Sequence, residues 1–458
     1  MKKYDVIVIG SGAGLDLLDT AVGLGMKAAL IDRGPTGGTC LNVGCIPSKM
    51  LIFPADRVME IREASRLGIK AEISGIDFGL IMRRMHQVVD DDSAGIRRYL
   101  ESSPDLDFYD GSGEFVAPYI LQVGKHKLTA EKIFIAAGTR PVLPPINGLE
   151  TVEHLNNESL LNLTRAPESL VIIGGGYVGV EFAHFFEAMG TEVTVLEMQA
   201  AILPGEEPEI SEVVEKALAA RMTVLTGTEV TEVGSATDGR IDVYYHRNHE
   251  GEVKQITAEK LLIAAGRRSN TDLLKTENAD LQLDGDGFIA VDEYLETNQK
   301  GIYAVGDING KELFTHTAHA EAAVAVANGL HGHRVKMNYR ASPHAVFTHP
   351  QVASVGLSQS AAYEEYKILV GRADYKDTAL GTAMGDEDGF FKVILEQETE
   401  RILGAHVAGP WASVLIQEVI NAMAVEGGLN HIAAGIHIHP ALSEVVLKAL
   451  SNAAPLKG

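Results

Sequence analysis

The stretch Asp5-Val6-Ile7-Val8-Ile9-Gly10-Ser11-Gly12-Ala13-Gly14 opens the chain with a β-branched run that ends in a glycine turn. An apolar run of this kind is what a central parallel strand, covered on both faces, requires. The same pattern returns at Leu170-Val171-Ile172-Ile173-Gly174-Gly175-Gly176-Tyr177-Val178-Gly179. Each copy leads into a helical pattern and later meets a matching strand. That strand is Ile133-Phe134-Ile135-Ala136-Ala137-Gly138 for the first and Leu261-Leu262-Ile263-Ala264-Ala265-Gly266 for the second. Glycines between a strand and a helix let a pyrophosphate approach the backbone at the helix's positive end. Gly10, Gly12 and Gly14 therefore form one candidate site, and Gly174, Gly176 and Gly179 another. The repeat predicts an α/β fold with two Rossmann-like dinucleotide-binding domains.

An acid closes the second strand of each unit. Ala28-Ala29-Leu30-Ile31-Asp32 places Asp32, and Val193-Thr194-Val195-Leu196-Glu197 places Glu197, where a ribose hydroxyl would be bound. A carboxylate there repels a 2′-phosphate, and no basic residue follows in Met198-Gln199-Ala200-Ala201-Ile202, so the second site favours NAD over NADP. The first turn departs from the usual spacing, because Leu15 stands where a third glycine is normal. A small shift of the following helix would accommodate it.

The segment Gly37-Gly38-Thr39-Cys40-Leu41-Asn42-Val43-Gly44-Cys45-Ile46-Pro47-Ser48-Lys49 follows Asp32 closely and carries both cysteines of the 458-residue chain. Pro47 suits the first turn of a helix. Cys45 would then lie at that helix's N-terminus, where the dipole favours a thiolate. Gly44 gives the spacing freedom for the two sulfurs to bridge, and Lys49, a turn later, can project toward a cofactor. A disulfide-stapled secreted domain uses many more cysteines, and a structural zinc needs four ligands, so two cysteines in one short segment suggest redox chemistry, with two ordinary buried thiols as the alternative. No metal site is expected. His437 and His439, two apart, would point to opposite faces of a strand.

The other end of the chain offers a base. In Ile436-His437-Ile438-His439-Pro440-Ala441-Leu442-Ser443-Glu444, a carboxylate stands five residues after His439. Thiol–disulfide exchange needs a proton acceptor near neutral pH, and Glu444 on the second ring nitrogen would fix the tautomer of His439. Of the 16 histidines, His316, His319, His344, His349 and His406 are read as structural or as supporting residues behind the site.

Composition is that of a globular protein, 46% hydrophobic and 22% charged residues, and its 47 glycines fit several tight phosphate-binding turns. The length exceeds one compact core. A net charge of −23 argues against nucleic-acid binding, which needs a basic face. Part of that charge lies in Gly205-Glu206-Glu207-Pro208-Glu209, read as a solvated loop. No apolar run is long enough to cross a bilayer. The start, with Lys2 and Lys3 before an apolar stretch, is interrupted by Asp5 and ends in a glycine turn, so it is read as a strand of a cytoplasmic protein rather than a leader.

Taken together, the cysteine segment, both glycine turns, Ala136-Ala137-Gly138-Thr139-Arg140-Pro141, Gly266-Arg267-Arg268-Ser269-Asn270-Thr271, Gly306-Asp307 and His439-Pro440 resemble the pyridine nucleotide–disulfide oxidoreductase family over essentially the whole chain. The likeness is strongest to its dihydrolipoamide dehydrogenases. Asp16-Leu17-Leu18-Asp19 after Leu15, and Thr378-Ala379-Leu380-Gly381-Thr382-Ala383-Met384, are similar to mycothione reductases. Ser269 stands where the family usually has proline.

The resemblance implies a domain plan and a set of roles. Residues 1–148 would begin an FAD-binding domain with a helical insertion at about 50–105, and 149–267 would bind NAD. Residues 268–340 would return to the FAD domain, and 341–458 would form an α+β dimerisation domain. Cys45 would lie against the flavin and Cys40 would exchange with substrate. Lys49 would pair with Glu181 near the flavin, and Gly38, Thr39, Gly113, Gly138, Asp307 and Thr315 would line the FAD site. Tyr177 would cover the nicotinamide pocket, with Val230 and Gly266 touching NAD. His439 would serve the cysteine pair of the other subunit of a homodimer. The implied activity is oxidation of dihydrolipoamide by NAD, with the lipoyl domain of a 2-oxoacid dehydrogenase or glycine cleavage complex as partner. The alternatives are a NAD(P)H-dependent reductase of a small disulfide, mycothione or glutathione-like, and a non-catalytic flavoprotein scaffold. The scaffold would have no use for Cys40, Cys45, His439 and Glu444 together. A mercuric reductase would end in paired cysteines, which Ser451-Asn452-Ala453-Ala454-Pro455-Leu456-Lys457-Gly458 lacks.

Overall fold

Strand Lys2–Ile9 lies at the centre of a seven-stranded sheet in the computed structural model, which describes residues 1–247 and 251–456. It pairs in parallel with Ala28–Asp32 on one side and His126–Ile135 on the other. Leu106–Asp110 extends one edge in parallel, and the hairpin of Gly113–Ala117 and Ile120–Val123 extends the opposite one antiparallel. The far half of His126–Ile135 takes Ile302–Ala304 as a parallel neighbour. The apolar run is explained by burial on both faces. Val6 and Val8 pack with Leu17, Leu18 and Ala21 of helix Gly14–Gly23 and with Ala322 and Ala325 of helix Thr315–Gly329. Ile7 and Ile9 face Phe115, Leu121 and Leu128. Each such side chain contributes about 1.5–3 kcal/mol when fully buried. This sheet and its helices form one compact unit, comprising Met1–Ser48, Met82–Val142 and Gly266–Met337.

The second unit comprises Lys49–Ile81, Leu143–Ala265 and Asn338–Gly458. Its repeat of the first pattern is a four-stranded parallel sheet ordered Thr223–Leu225, Glu192–Leu196, Ser169–Ile173, Lys260–Ile263. Helix Tyr177–Ala188 follows the glycine turn, and helix Pro208–Ala219 follows the acid strand. The C-terminal part builds a six-stranded antiparallel sheet around Phe390–Glu396 and Ile402–Ala408, covered by helices Gln417–Ala424 and Glu444–Ser451. The fold is therefore α/β with two Rossmann-like sheets and an α+β C-terminal domain. Between the acid strand and the hairpin of the first sheet, helices Cys45–Glu63 and Phe78–Ser102 occupy the stretch of the expected helical insertion. The expected domain bounds take in residues 248–250 and 457–458, which lie outside the described residues.

Two readings need correction. The acidic segment at 205–209 is not a solvated loop: Glu206 and Glu207 are 8% and 2% exposed. Their charge is tolerated because each meets donors, Glu206 from Ser354 Oγ at 2.6 Å and Glu207 from Lys392 Nζ at 2.7 Å. Pro208 opens a helix directly after them, a position its missing N–H suits. Secondly, His437 and His439 are not on a strand. They lie in the irregular segment between helices Leu429–Ala433 and Glu444–Ser451, where each ring takes its own carboxylate, Glu418 and Glu444. Among the described residues no cluster could hold a metal ion, and no helix is long and apolar enough to cross a membrane.

Candidate active site

The two glycine turns share one hydrogen-bond pattern. Gly10 N donates to Ile31 O at 2.8 Å and Gly174 N to Leu196 O at 2.9 Å. Both glycines have left-handed backbones, φ +98° and +112°, and a Cβ on either would lie 2.2 or 2.3 Å from a carbonyl oxygen, of Ala136 or Ala264. Only glycine fits there. Asp32 accepts from Ser11 N at 2.7 Å and Gly34 N at 3.0 Å. Glu197 accepts from Gly175 N at 2.6 Å and Gln199 N at 2.6 Å. A carboxylate has about four lone-pair sites, so each acid keeps acceptor capacity for ribose hydroxyls.

The Leu15 departure is absorbed by a later helix start. The first helix begins at Gly14 and the second at Tyr177, which corresponds to Ala13. Gly14 takes over the close approach, since a Cβ on it would come within 2.9 Å of Val8 Cγ1. In the second turn Gly179 has that task, with a Cβ position 1.9 Å from Gly174 O.

The first turn meets the cysteine segment. A Cβ on Gly38, φ +70°, would lie 2.7 Å from Gly12 Cα, so the two backbones touch. Helix Gly38–Val43 carries Thr39 and Cys40, and helix Cys45–Glu63 starts at Cys45 itself, with Pro47 in its first turn. Gly44 folds back so that a Cβ would lie 2.8 Å from Thr39 O, which brings the two cysteines together. Hydrogen bonding from Cys45 pulls the Cys40 thiol down to about 6 against the opposing effect of burial, with smaller help from Thr315 and the His319 charge. Thr315 opens its helix, and His319 stands one turn further on the same face. Asp16 Oδ2 lies 2.5 Å from His319 Nδ1. This carboxylate–imidazole pair escaped the sequence reading, because no spacing rule links residues 303 positions apart.

Within the same unit, Thr139 Oγ1 donates to Asp307 Oδ2 at 2.7 Å, and Arg267 Nε donates to Thr139 Oγ1 at 2.7 Å. Gly138 leaves open space, with nothing within 4 Å of a Cβ position, and Gly113 packs tightly on Ile31. The set Gly10, Gly12, Gly14, Asp32, Gly38, Thr39 and Asp307 can hold FAD: a backbone cradle that side chains would fill, an acid for the ribose, and a helix N-terminus for the pyrophosphate.

In the second unit, Lys49 Nζ donates to both Glu181 oxygens at 2.9 and 2.8 Å, and sits 4.5 Å over the Phe347 ring. Phe347 N also donates to Glu181 Oε1 at 2.9 Å, so a buried carboxylate held by the backbone orients the lysine. Tyr177 heads its helix beside Gly176, whose Cβ position is open. Val230 lies at the bulge of strand Thr228–Ser235, and Gly266, φ +112°, falls in the first unit. His439 Nδ1 meets Glu444 Oε1 at 2.9 Å, and its side chain is 73% exposed. The histidine's hydrogen bond holds the Glu444 carboxyl below its ordinary range.

Comparison with known proteins agrees with this geometry. The family model described as pyridine nucleotide-disulphide oxidoreductase matches residues 4–327, and the model of that family's dimerisation domain matches 342–450. Mycothione reductase of Mycobacterium tuberculosis is 36% identical, covering 98% of this chain and 99% of its own. Dihydrolipoyl dehydrogenase of Chlamydia trachomatis is also 36% identical, covering 97% and 95%. Among solved structures, the HOCl-induced flavoprotein disulfide reductase RclA from Escherichia coli superposes with a TM-score of 0.86 at 30% identity, covering 98% of this chain and 99% of its own. With two nucleotide-binding turns, a cysteine pair beside the first of them and family models spanning nearly all of the sequence, the chain belongs to the pyridine nucleotide–disulfide oxidoreductases, FAD enzymes that use a nicotinamide nucleotide.

Proposed function

We propose that the protein oxidises dihydrolipoamide with NAD through the Cys40–Cys45 pair. The observation that carries the reading is the coupled thiol pair, with Cys40 held down to about 6 beside the first glycine turn. Gly10, Gly12, Gly14, Asp32, Gly38, Thr39, Gly113, Gly138, Asp307 and Thr315 hold FAD, which when bound carries the electron pair between the cysteines and the nicotinamide. Gly174, Gly176, Gly179, Glu197 and Val230 hold NAD, and Tyr177 covers the nicotinamide. Lys49 is fixed by Glu181 as a held cation.

His439, kept in one tautomer by Glu444, takes the proton from a substrate thiol. The resulting thiolate attacks Cys40 of the oxidised pair, and Cys45 leaves as a thiolate. The second substrate thiol then displaces Cys40, so one dithiol becomes a disulfide and the cysteine pair gains two electrons. Run backwards, the Cys40 thiolate attacks a disulfide substrate, a role its lowered pKa suits. His439 is exposed in its own chain, as a base that serves the cysteine pair of a partner protomer would be. Two cysteines without a disulfide framework suit a cytoplasmic enzyme.

Glu197 supports NAD, and with it lipoamide chemistry. Leu15 and Asp16-Leu17-Leu18-Asp19 in the first turn, Thr378-Ala379-Leu380-Gly381-Thr382-Ala383-Met384, and the mycothione reductase likeness favour a second reading, reduction of mycothiol disulfide. Turnover of lipoamide, mycothiol disulfide and oxidised glutathione, each with NADH and NADPH, separates them. Lipoamide with NADH should be turned over fastest; a faster rate with mycothiol disulfide would replace the first reading with the second.

A further inference from the structure

Tyr177 opens the helix behind the second glycine turn, so its ring stands at the edge of the site that turn can form. The ring lies against the His344 imidazole, with centroids 5.5 Å apart and planes inclined by 23°. His344 belongs to strand Pro343–Val346, within the segment matched by the dimerisation-domain model. Its Nε2 meets Glu206 Oε1 at 2.6 Å, and the Glu206 side chain is 0% exposed. Ser354 Oγ donates to the other carboxylate oxygen at 2.6 Å, so both oxygens are held. Leu203 N donates to Gly175 O at 2.9 Å and ties the segment carrying Glu206 back to the glycine turn. A carboxylate buried this deeply is costly to desolvate unless its partners are fixed, and the arrangement therefore sets the imidazole plane as well as its tautomer. The flat face so fixed is the one that Tyr177 rests on.

We propose that His344 is a positioning residue, a latch that holds Tyr177 closed over the nicotinamide pocket until a dinucleotide displaces the ring. The inference rests on the assignment of NAD to the second glycine turn. If binding must break the stack, the ligand spends part of its affinity on doing so. A variant without the stack then binds NAD more tightly, by roughly 2- to 10-fold from the usual strength of aromatic pairs. Damage to the site would weaken binding instead.

The test is calorimetric titration of NAD into the oxidised, flavin-loaded full chain, with the thermal midpoint recorded for each variant. His344→Gln keeps a donor for Glu206 but has no ring, and should lower Kd by roughly 2- to 10-fold. His344→Phe keeps the stack and should stay within about twofold of the unmodified protein, the lower bound of that stacking effect. Tyr177→Leu removes the ring directly and should match His344→Gln, which keeps the idea open to refutation if the histidine variants do not fold. An unchanged or raised Kd in His344→Gln, or in Tyr177→Leu, overturns the latch. If the unmodified protein binds no NAD at all, the failure lies in the assignment of the second turn, and the latch falls with it.

Discussion

Cys40 and Cys45 illustrate how little a reactive residue needs beyond its immediate neighbours. Gly44 lets the chain double back, the sulfur of Cys45 comes within hydrogen-bonding range, and Thr315 and His319 add a donor and a charge from the helix that starts at 315. Each contribution favours the thiolate of Cys40, and together they outweigh the burial that would suppress it. The expected outcome is that iodoacetamide alkylates Cys40 of the reduced protein with a midpoint near pH 6, well below the ~8.5 of an ordinary thiol. His319→Gln and Thr315→Val should each move that midpoint upward, measured by peptide mass across a pH series. A midpoint at the ordinary value would remove Cys40 from the role of attacking thiolate. The cysteine segment, the acids and the His439–Glu444 spacing are local patterns, and so they are legible in sequence. Asp16–His319 and Glu206–His344 join residues 303 and 138 positions apart, and only the fold brings them together. That is why Glu206 reads as part of a solvated acidic run until the structure shows what it meets.

At the scale of elements, the two strand–turn–helix units share one design and are proposed to serve different nucleotides. The shared part was legible because it rests on backbone conformation, which glycine reports directly in sequence. Gly10 and Gly174 both require φ values that L residues avoid and both leave no room for a Cβ. Gly10→Ala and Gly174→Ala should therefore each strain the turn by at least about 1–3 kcal/mol, but with different consequences. The first should release flavin, read as loss of bound absorbance after gel filtration. The second should retain flavin and lose reduction by NADH while keeping reduction by a dithiol. Equal loss of flavin in both variants would contradict the division of labour between the turns. The shift of the first helix to Gly14 was legible only as an irregularity at Leu15, since its size depends on how Gly14 packs on Val8.

For the molecule as a whole, an acidic chain hides some of its charge. Lys392 and Glu207 have side chains 5% and 2% exposed, 2.7 Å apart, and Glu209 adds a second acceptor to the lysine at 2.8 Å. Burial pushes the Glu207 carboxyl up, but Lys392, the Gln359 amide and the His406 charge together hold it below the ordinary range. A carboxyl depressed in the folded state lends stability above its unfolded pKa and withdraws it as pH falls below that value. Lys392→Met should leave a buried, uncompensated carboxylate and cost about 3–5 kcal/mol, seen as a lower thermal midpoint at pH 7. The gap between the variant and the unmodified protein should narrow as the pH falls below the glutamate range, where Glu207 becomes neutral. A gap that stays constant with pH would show that the loss comes from packing and not from the charge. The central claim for the whole enzyme is that the cysteine pair exchanges electrons with a flavin. Anaerobic titration with NADH, followed by absorbance, tests it most directly. On NADH addition the unmodified protein should develop a long-wavelength band from a thiolate stacked on oxidised flavin. Cys40→Ser, with no disulfide to take the electrons, should show that band before NADH is added and lose it as its flavin is reduced, and Cys45→Ser should show no such band. A protein that binds flavin and accepts electrons from NADH with no such band, or a band that survives Cys45→Ser, would contradict the account.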